Sequence, residues 1–182
     1  TYPESTVNIT NCTISKNNMG LYGTYNPGSS TSVITVRNTI LYGNTTKDSE
    51  MTGIVNITMT NSLLEKDDLS YYNASTFLID KSPFVDINNN DFTLKNDLYT
   101  IDTGIGAYYA VSGGDLLLDK DLNGNPRVVG KSIDLGAFES SSVYTNFYQP
   151  TNGVLDVKKG ATGSGDCSSW SNAAPELADV LK

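Results

Sequence analysis

The chain has 182 residues, of which twelve are basic and twenty are acidic, so its formal net charge is −8. No basic run is longer than Lys158-Lys159, which argues against binding to the phosphate backbone of a nucleic acid. The sequence has no histidine, which excludes the zinc sites and nucleophile pairs that depend on an imidazole. Only 18% of the residues are charged, and Asn, Thr, Ser and Gly occupy the polar positions, as is typical of turn-rich β proteins.

The two cysteines, Cys12 and Cys167, do not have the spacing of a metal motif. We expect them to lie in different modules and not to form a disulfide. No apolar run approaches the ~20 residues of a membrane span, so we predict no transmembrane segment. N-glycosylation sequons are present, but in a chain rich in Asn and Thr most such matches arise by chance. They begin at Asn8, Asn11, Asn44, Asn56 and Asn73.

A repeat runs through residues 1–67, and its most regular position is an asparagine. Asn11, Asn38 and Asn61 are separated by 38 − 11 = 27 and 61 − 38 = 23 residues, a period typical of stacked repeat proteins. Apolar residues lie four and two places before each asparagine and three places after it. The inward-facing parity therefore shifts by one at the asparagine, which predicts two short strands that meet at a corner with a left-handed backbone.

These coils predict an all-β fold, a right-handed parallel β-helix or solenoid, in which neighbouring coils cover each other's apolar faces. In that fold Asn11, Asn38 and Asn61 would lie about 4.8 Å apart and form a ladder of side-chain amide hydrogen bonds. The segments 18–32 and 43–52 would then be variable loops of the coils. The alternative is a β-sandwich, which would show turn signals every ~8–12 residues without a fixed asparagine corner.

Residues 118–140 form the most specific run of the chain. The Asn-Gly and Asn-Pro dipeptides within 119–127 predict that the chain reverses there. A short strand is predicted at 128–129. Through 133–139 apolar residues alternate with polar or small ones, which is the period of a strand with one buried face. We therefore predict a final strand that closes a sheet.

Residues 141–153 have no periodicity and include a Pro-Thr-Asn-Gly turn, so we predict a linker. Beyond it we predict a short strand at 154–157, and a position for Trp170 in a capping core. A helix is predicted from Pro175 onward, because proline suits the first turn of a helix and Glu176 suits its positive end. This strand and helix would cap an open end of a β-helix, in this chain or in a neighbouring copy.

The run at 118–140, LDKDLNGNPRVVGKSIDLGAFES, resembles the closing segment of secreted bacterial parallel β-helix proteins of the choice-of-anchor Q group. The motifs at 82–86, 91–94 and 101–104 resemble, in the same order, the segment that precedes it in those proteins. The sequence departs from the family pattern at Asp97-Leu98-Tyr99-Thr100, where the family usually has Ser-Pro-Ala. Strand, glycine-rich loop and helix in the last part of the chain resemble the opening of such a protein.

The resemblance implies three parts. Residues 1–140 would be the C-terminal coils and closing segment of a parallel β-helix, and 141–153 a linker. Residues 154–182 would be the N-terminal cap, a strand and a helix, of a following β-helix module. The resemblance also implies that the chain is a fragment of a longer bacterial protein, one that is secreted or held at the cell surface.

The residues Asp119, Asp121 and Asn123, followed by glycine, match the first half of a calcium-binding loop, in which oxygen ligands at alternate positions converge on a hard cation. The second half does not match, because Gly130 stands where such loops have a bidentate glutamate. The competing interpretation is an acidic Asn-Gly turn that Arg127 pins in place.

Several other residues have a functional interpretation and a simpler structural one. Some β-helix proteins resemble pectate lyases, which use calcium to acidify a uronate and an arginine or lysine as the base; here only Arg37 and Arg127 could serve. We expect Arg37 to point outward, where it could meet an acidic sugar. Asp86, Asp102 and Asp134 are interpreted as turn residues that bond backbone amides. Four tyrosines could either stack on sugar rings or cover core edges. They are Tyr71, Tyr72, Tyr108 and Tyr109.

These observations favour a non-catalytic secreted or cell-surface scaffold or adhesion-type protein that presents loops along a rigid rod and contacts polysaccharide. The alternative is a fragment of a polysaccharide lyase or glycoside hydrolase whose catalytic coils lie upstream. Several carboxylates with a Lys or Arg in one groove would favour the enzyme. A face of Asn, Thr and Ser without such a cluster would favour the scaffold.

Overall fold

The computed structural model describes residues 5–24, 32–52, 55–66, 76–96, 99–141, 154–162, 167 and 169–174. The chain divides into two compact units, Thr1–Val143 and Tyr144–Lys182. The fold is mostly strands with very little helix. The strands are β1 (Thr6–Thr10), β2 (Thr13–Ser15), β3 (Met19–Gly23), β4 (Ser32–Arg37), β5 (Ile40–Tyr42), β6 (Lys47–Met51), β7 (Val55–Thr60), β8 (Leu63–Leu64), β9 (Phe77–Leu78), β10 (Phe84–Asp86) and β11 (Asp91–Leu94). A short helix, α1, spans Gly106–Val111.

Three parallel sheets make up the repeat region. Their strand orders are β1-β4-β7, β2-β5-β8-β9 and β3-β6. A sandwich of the kind weighed above would pair its strands antiparallel, whereas every pair in these three sheets is parallel. The antiparallel pair, β10 with β11, follows the repeats.

The pairing follows the repeat seen in the sequence. Ile9, Val36 and Met59 pair across β1, β4 and β7. Strands β2, β5 and β8 likewise bring Leu41 into register with Leu64. These residues belong to one apolar core, whose buried members are Val36, Leu41, Ile57, Met59 and Leu64. Burying each such side chain contributes about 1.5–3 kcal/mol, so stacked pairing and core formation depend on one another.

The expectation that segments 18–32 and 43–52 are loops is wrong in part, because β3 and β6 lie in them and form the third parallel sheet. Neither strand has alternating buried apolar residues, because the buried position of β3 is Gly23 and those of β6 are the polar residues Asp48 and Ser49. Asp48 is fully buried, and its carboxylate accepts hydrogen bonds from the backbone amides of Glu65 (2.6 Å) and Lys66 (2.7 Å). An alternating apolar pattern cannot detect a strand whose inward residues are satisfied by hydrogen bonds.

The predicted strands at 128–129 and 133–139 are absent from residues 99–141, which we call the closing segment. Asp134 is as deeply buried as its neighbours Ile133 and Leu135, so both parities face the interior. The backbone amide of Leu135 bonds to Thr100 (2.9 Å), and that of Gly136 bonds to a carbonyl of the repeat region, so no continuous ladder forms. Gly136 has a φ of +82°, and a side chain there would collide with Thr13 and Ile40.

The second unit also departs from prediction. In place of a continuous strand over 154–157, Val157 forms a single parallel bridge with Ala174. Trp170 is 61% exposed at the start of a short 3₁₀ turn, so the expected place in a capping core is wrong. The predicted linker, apart from residue 141, and the predicted helix lie outside the described residues.

The corner asparagines lie in a row. Asn11, Asn38 and Asn61 have φ values of 50°, 48° and 50°, in the left-handed region. Asn38 donates a side-chain hydrogen bond to Asn11 (3.0 Å), and Asn61 donates one to Asn38 (2.9 Å). Short polar side chains tolerate this conformation better than other residues do.

Each corner also bonds to the closing segment. The side-chain amides of Asn11, Asn38 and Asn61 donate to the carbonyls of Asp134 (3.0 Å), Ile105 (3.0 Å) and Thr103 (2.9 Å) respectively. The Asn38 side-chain oxygen accepts a further bond from the Ile105 amide (3.0 Å). The asparagine row therefore joins the repeats to one another and to the segment that covers them.

Replacing Asn38 should therefore destabilise the first unit strongly. Asn38→Ala removes four side-chain hydrogen bonds, two of them buried and two part-buried. It also leaves alanine, which has no polar side chain, in the left-handed region, so we expect a loss of about 3 kcal/mol or more. Denaturant unfolding followed by circular dichroism measures the change. Asn56→Ala, at an exposed position of β7, is the control and should stay within about 0.5 kcal/mol of the wild type. Equal losses in both variants would contradict the role given to the corner.

Candidate functional site

A surface groove with a volume of about 430 Å³ lies where the outer face of β1 and β4 meets the end of α1. Its lining combines an amide, two hydroxyls, a thiol and a guanidinium with one exposed valine. The residues are Asn8, Thr10, Cys12, Arg37, Val111 and Ser112. The strands place these side chains together because Thr10 and Arg37 are register partners at the ends of β1 and β4.

Arg37 is the cation of this groove. Its guanidinium carbon lies 5.3 Å from the centre of the Tyr108 ring, so the half-buried tyrosine supports it from one side. Within the described ranges the ion pairs are Lys47–Glu50 and Lys66–Glu65, and Arg37 has none. An arginine that lacks a carboxylate partner retains donors for a ligand.

Helix α1 is fixed over the strands by polar contacts at both ends. At its start, the backbone of Ile105 bonds twice to the Asn38 side chain. After its end, the Ser112 hydroxyl lies 2.8 Å from that of Thr10 and also donates to the carbonyl of Tyr108 (3.0 Å). The groove wall is thus held by the same asparagine that joins the repeats.

Two of the three candidate calcium ligands, Asp119 and Asp121, bond within the chain through their carboxylates, and the third, Asn123, contributes its backbone amide. The Asp121 carboxylate accepts bonds from the amides of Asn123 (2.9 Å), Asn125 (2.7 Å) and Glu139 (2.9 Å). Burial alone would raise the pKa of Asp121, but these amides outweigh it and lower that pKa. Asp119 accepts from the Asp115 amide (2.8 Å) and the Tyr109 hydroxyl (2.9 Å). This is the arrangement of the turn interpretation, and no group of three acidic or sulfur-bearing residues in the described part could hold a metal ion.

Arg127 does not pin the turn through its guanidinium, as that interpretation supposed. The side chain is 2% exposed, donates to the carbonyl of Gly136 (3.1 Å) and lies over the ring of Tyr109. Its Nε and Nη1 atoms have no hydrogen-bond partner. The turn is closed by backbone amides, and Arg127 is a core residue of the closing segment.

Two buried carboxylates organise the rest of that segment. Asp134 accepts bonds from the amides of Asp102 (2.7 Å) and Ser140 (2.7 Å), and Glu139 accepts from Val129 (2.9 Å) and Asp134 (3.1 Å). Burial raises the pKa of Asp134 to about 6 and that of Glu139 to about 7, against the opposing effect of these amide bonds. Asp86 and Asp102 also bond backbone amides, as predicted for turn residues.

A second asparagine row was missed in the sequence. Asn17 and Asn44 lie six residues after Asn11 and Asn38, and the Asn44 side-chain oxygen accepts from the Asn17 amide (3.2 Å). The offset of six, which recurs at Asp67, was the available signal; Asp67 itself lies outside the described residues.

The remaining candidate residues differ in their exposure to solvent. The sequon asparagines Asn11 and Asn44 are buried in these rows, whereas Asn8 and Asn56 are exposed. Tyr71, Tyr72 and Asn73 lie outside the described residues. Both cysteines are free.

The raised pKa values predict how stability depends on pH. Asp134 and Glu139 keep protons in the folded state that the unfolded state, with ordinary pKa values of 3.8 and 4.5, has already released. The free energy of unfolding should therefore fall as the pH rises from about 4.5 to 7. The melting temperature of Glu139→Gln should be lower overall than that of the wild type. It should also fall less steeply as the pH rises across this window.

Asp86→Asn is the control for that experiment. The side-chain and backbone bonds from Asn89 lower the pKa of Asp86, so this partly exposed group stays ionised across the window and its replacement should leave the pH dependence of stability unchanged. A wild-type protein that grows more stable between pH 5 and 7 would contradict the assignment.

Calcium should have no effect on the turn at 119–125. We expect the same melting temperature in about 5 mM calcium, above the dissociation constants of weak extracellular calcium modules, as in a chelator. Titration calorimetry provides the second measurement. Saturable binding that Asp121→Asn abolishes would restore the calcium interpretation.

In the part of the chain that the structure covers, no helix is long and apolar enough to cross a membrane. Comparisons with protein-family models, with curated proteins and with solved structures find no match to this chain. The groove is therefore interpreted from its own residues.

Proposed function

We propose that this chain is part of a non-catalytic scaffold or adhesion-type protein, secreted or held at the bacterial cell surface, whose groove at Arg37 contacts polysaccharide. The observation that carries the proposal is the lining of that groove. It offers hydroxyl, amide and guanidinium groups, which suit the many hydroxyls of sugars, beside the exposed side chain of Val111.

A right-handed parallel β-helix is the architecture we propose for the repeats. Strands β1, β2 and β3 are followed in the same order by β4, β5 and β6, and each strand pairs in parallel with its counterpart. This recurrence supports a coil that is repeated along one axis. A stack of this kind is rigid and presents its outer face as a regular surface.

The sequence resemblance supports the setting. The run at 118–140 resembles the closing segment of secreted bacterial β-helix proteins, and here residues of that run bond to two of the asparagine corners, Asn11 and Asn38. We propose that residues 154–182 begin a following module, as the resemblance implies.

Catalysis is less well supported by the same groove. Glycoside hydrolysis needs two carboxyl groups that flank the scissile bond. A calcium-dependent lyase needs acidic metal ligands beside its base. The described residues that line the groove include no carboxylate, so Arg37 stands without an acid partner. The lining thus favours binding over bond cleavage.

Blocking the groove tests the proposal. Asn8→Trp should fill it and abolish retention of the protein in affinity electrophoresis through gels that contain polysaccharide. Asn56→Trp is the matched control, since Asn56 is also an exposed asparagine of the same sheet but does not line the groove. If neither neutral nor acidic polysaccharides retard the wild type, the proposed function is wrong.

A further inference from the structure

We infer that the groove selects anionic sugars, with Arg37 pairing with a carboxylate or sulfate group on a sugar ring. This inference rests on the proposed function and adds the charge of the ligand to it. The charge class follows from what surrounds Arg37.

Arg37 forms no ion pair with a carboxylate of the described residues. The chain carries twenty acidic residues against twelve basic ones, so carboxylates are abundant. The ion pairs formed between two described residues lie elsewhere, at Lys47–Glu50 and Lys66–Glu65. The strand neighbours of Arg37 are Thr10 and Thr60, which are neutral. A cation that an acidic chain leaves without a carboxylate partner is available to an external anion.

The guanidinium of Arg37 is held in position by a ring. It lies over the Tyr108 ring at 5.3 Å, a geometry that restricts where the planar fork can point. An arginine fork binds two oxygens of a carboxylate or sulfate at once, and restriction of the side chain reduces the entropy lost on binding. Tyr108 therefore acts as a positioning residue.

Hydroxyl and amide groups line the groove beside Arg37. Thr10 and Ser112 form a pair 2.8 Å apart, and Asn8 adds an exposed amide next to them. Neutral donors and acceptors of this kind match ring hydroxyls, while the single cation matches a single negative group. The groove thus fits one charged sugar within a chain better than it fits a small inorganic anion.

Matched ligands test the charge without changing the protein. Uronic acid oligosaccharides and their methyl esters have the same ring hydroxyls and differ in charge. Sulfated and unsulfated dextrans form a second pair, which distinguishes sulfate from carboxylate. In titration calorimetry we expect at least one acidic member to bind about five- to tenfold more tightly than its neutral partner.

Variants then assign the charge to Arg37. Arg37→Gln should remove the preference for the acidic ligand, and Arg37→Lys should keep part of it because the charge remains without the fork. Lys81→Gln makes the same charge change at an exposed residue outside the groove and should have no effect. Tyr108→Phe should retain the preference, whereas Tyr108→Leu should weaken it, since the ring and not the hydroxyl supports the guanidinium.

The outcomes separate this inference from the proposed function. Equal binding of acidic and neutral ligands, lost in Asn8→Trp, would overturn the anionic preference while the polysaccharide-binding function stands. A preference that persists in Arg37→Gln would overturn the role of Arg37. Binding of free sulfate or acetate as tightly as of the oligosaccharides would overturn the sugar ligand. Failure of every glycan to bind would overturn both proposals.

Discussion

The structure depends on the side-chain amides of three asparagines held in a left-handed backbone conformation. An amide has two donor hydrogens and an acceptor oxygen, and Asn38 uses them in two directions, toward the neighbouring corners and toward Ile105. Aspartate would lack the donors and glycine would lack the side chain. The corner therefore sets the bend of each repeat, the register between repeats and the attachment of the closing segment by one set of hydrogen bonds.

This constraint extends to the surface. Because Ile105 is bonded to Asn38, helix α1 begins at a fixed point beside the end of β4. Tyr108 is then within reach of Arg37, and Ser112 within reach of Thr10. The groove has a defined shape although one wall comes from a short helix of six residues, which would not be stable alone. Asn38 thus supports both the fold and the proposed binding groove, so a variant at the corner would be a poor test of binding.

The sequence predicted the corners because they combine a regular spacing with a change of apolar parity, which are local signals. It did not predict β6, whose buried Asp48 and Ser49 resemble loop residues until the hydrogen-bond partners of Asp48 are known, nor its partner β3, whose buried residue is a glycine. It misassigned 133–139 as a strand because alternation reports one buried face, whereas Asp134 is buried as well. The groove could not be found from spacing, since Asn8 and Ser112 are more than a hundred residues apart.

The net charge of −8 and the cation in the groove would act on the proposed anionic ligand over different distances. The charge of the whole chain repels such a ligand at long range, but at physiological salt that field is screened within about 8 Å. A direct contact with Arg37 is screened much less. Added salt would therefore weaken the repulsion and the attraction together, and the slope of affinity with salt has no fixed sign here. Comparison of ligands that differ only in charge, at one ionic strength, separates the local contact from the long-range field.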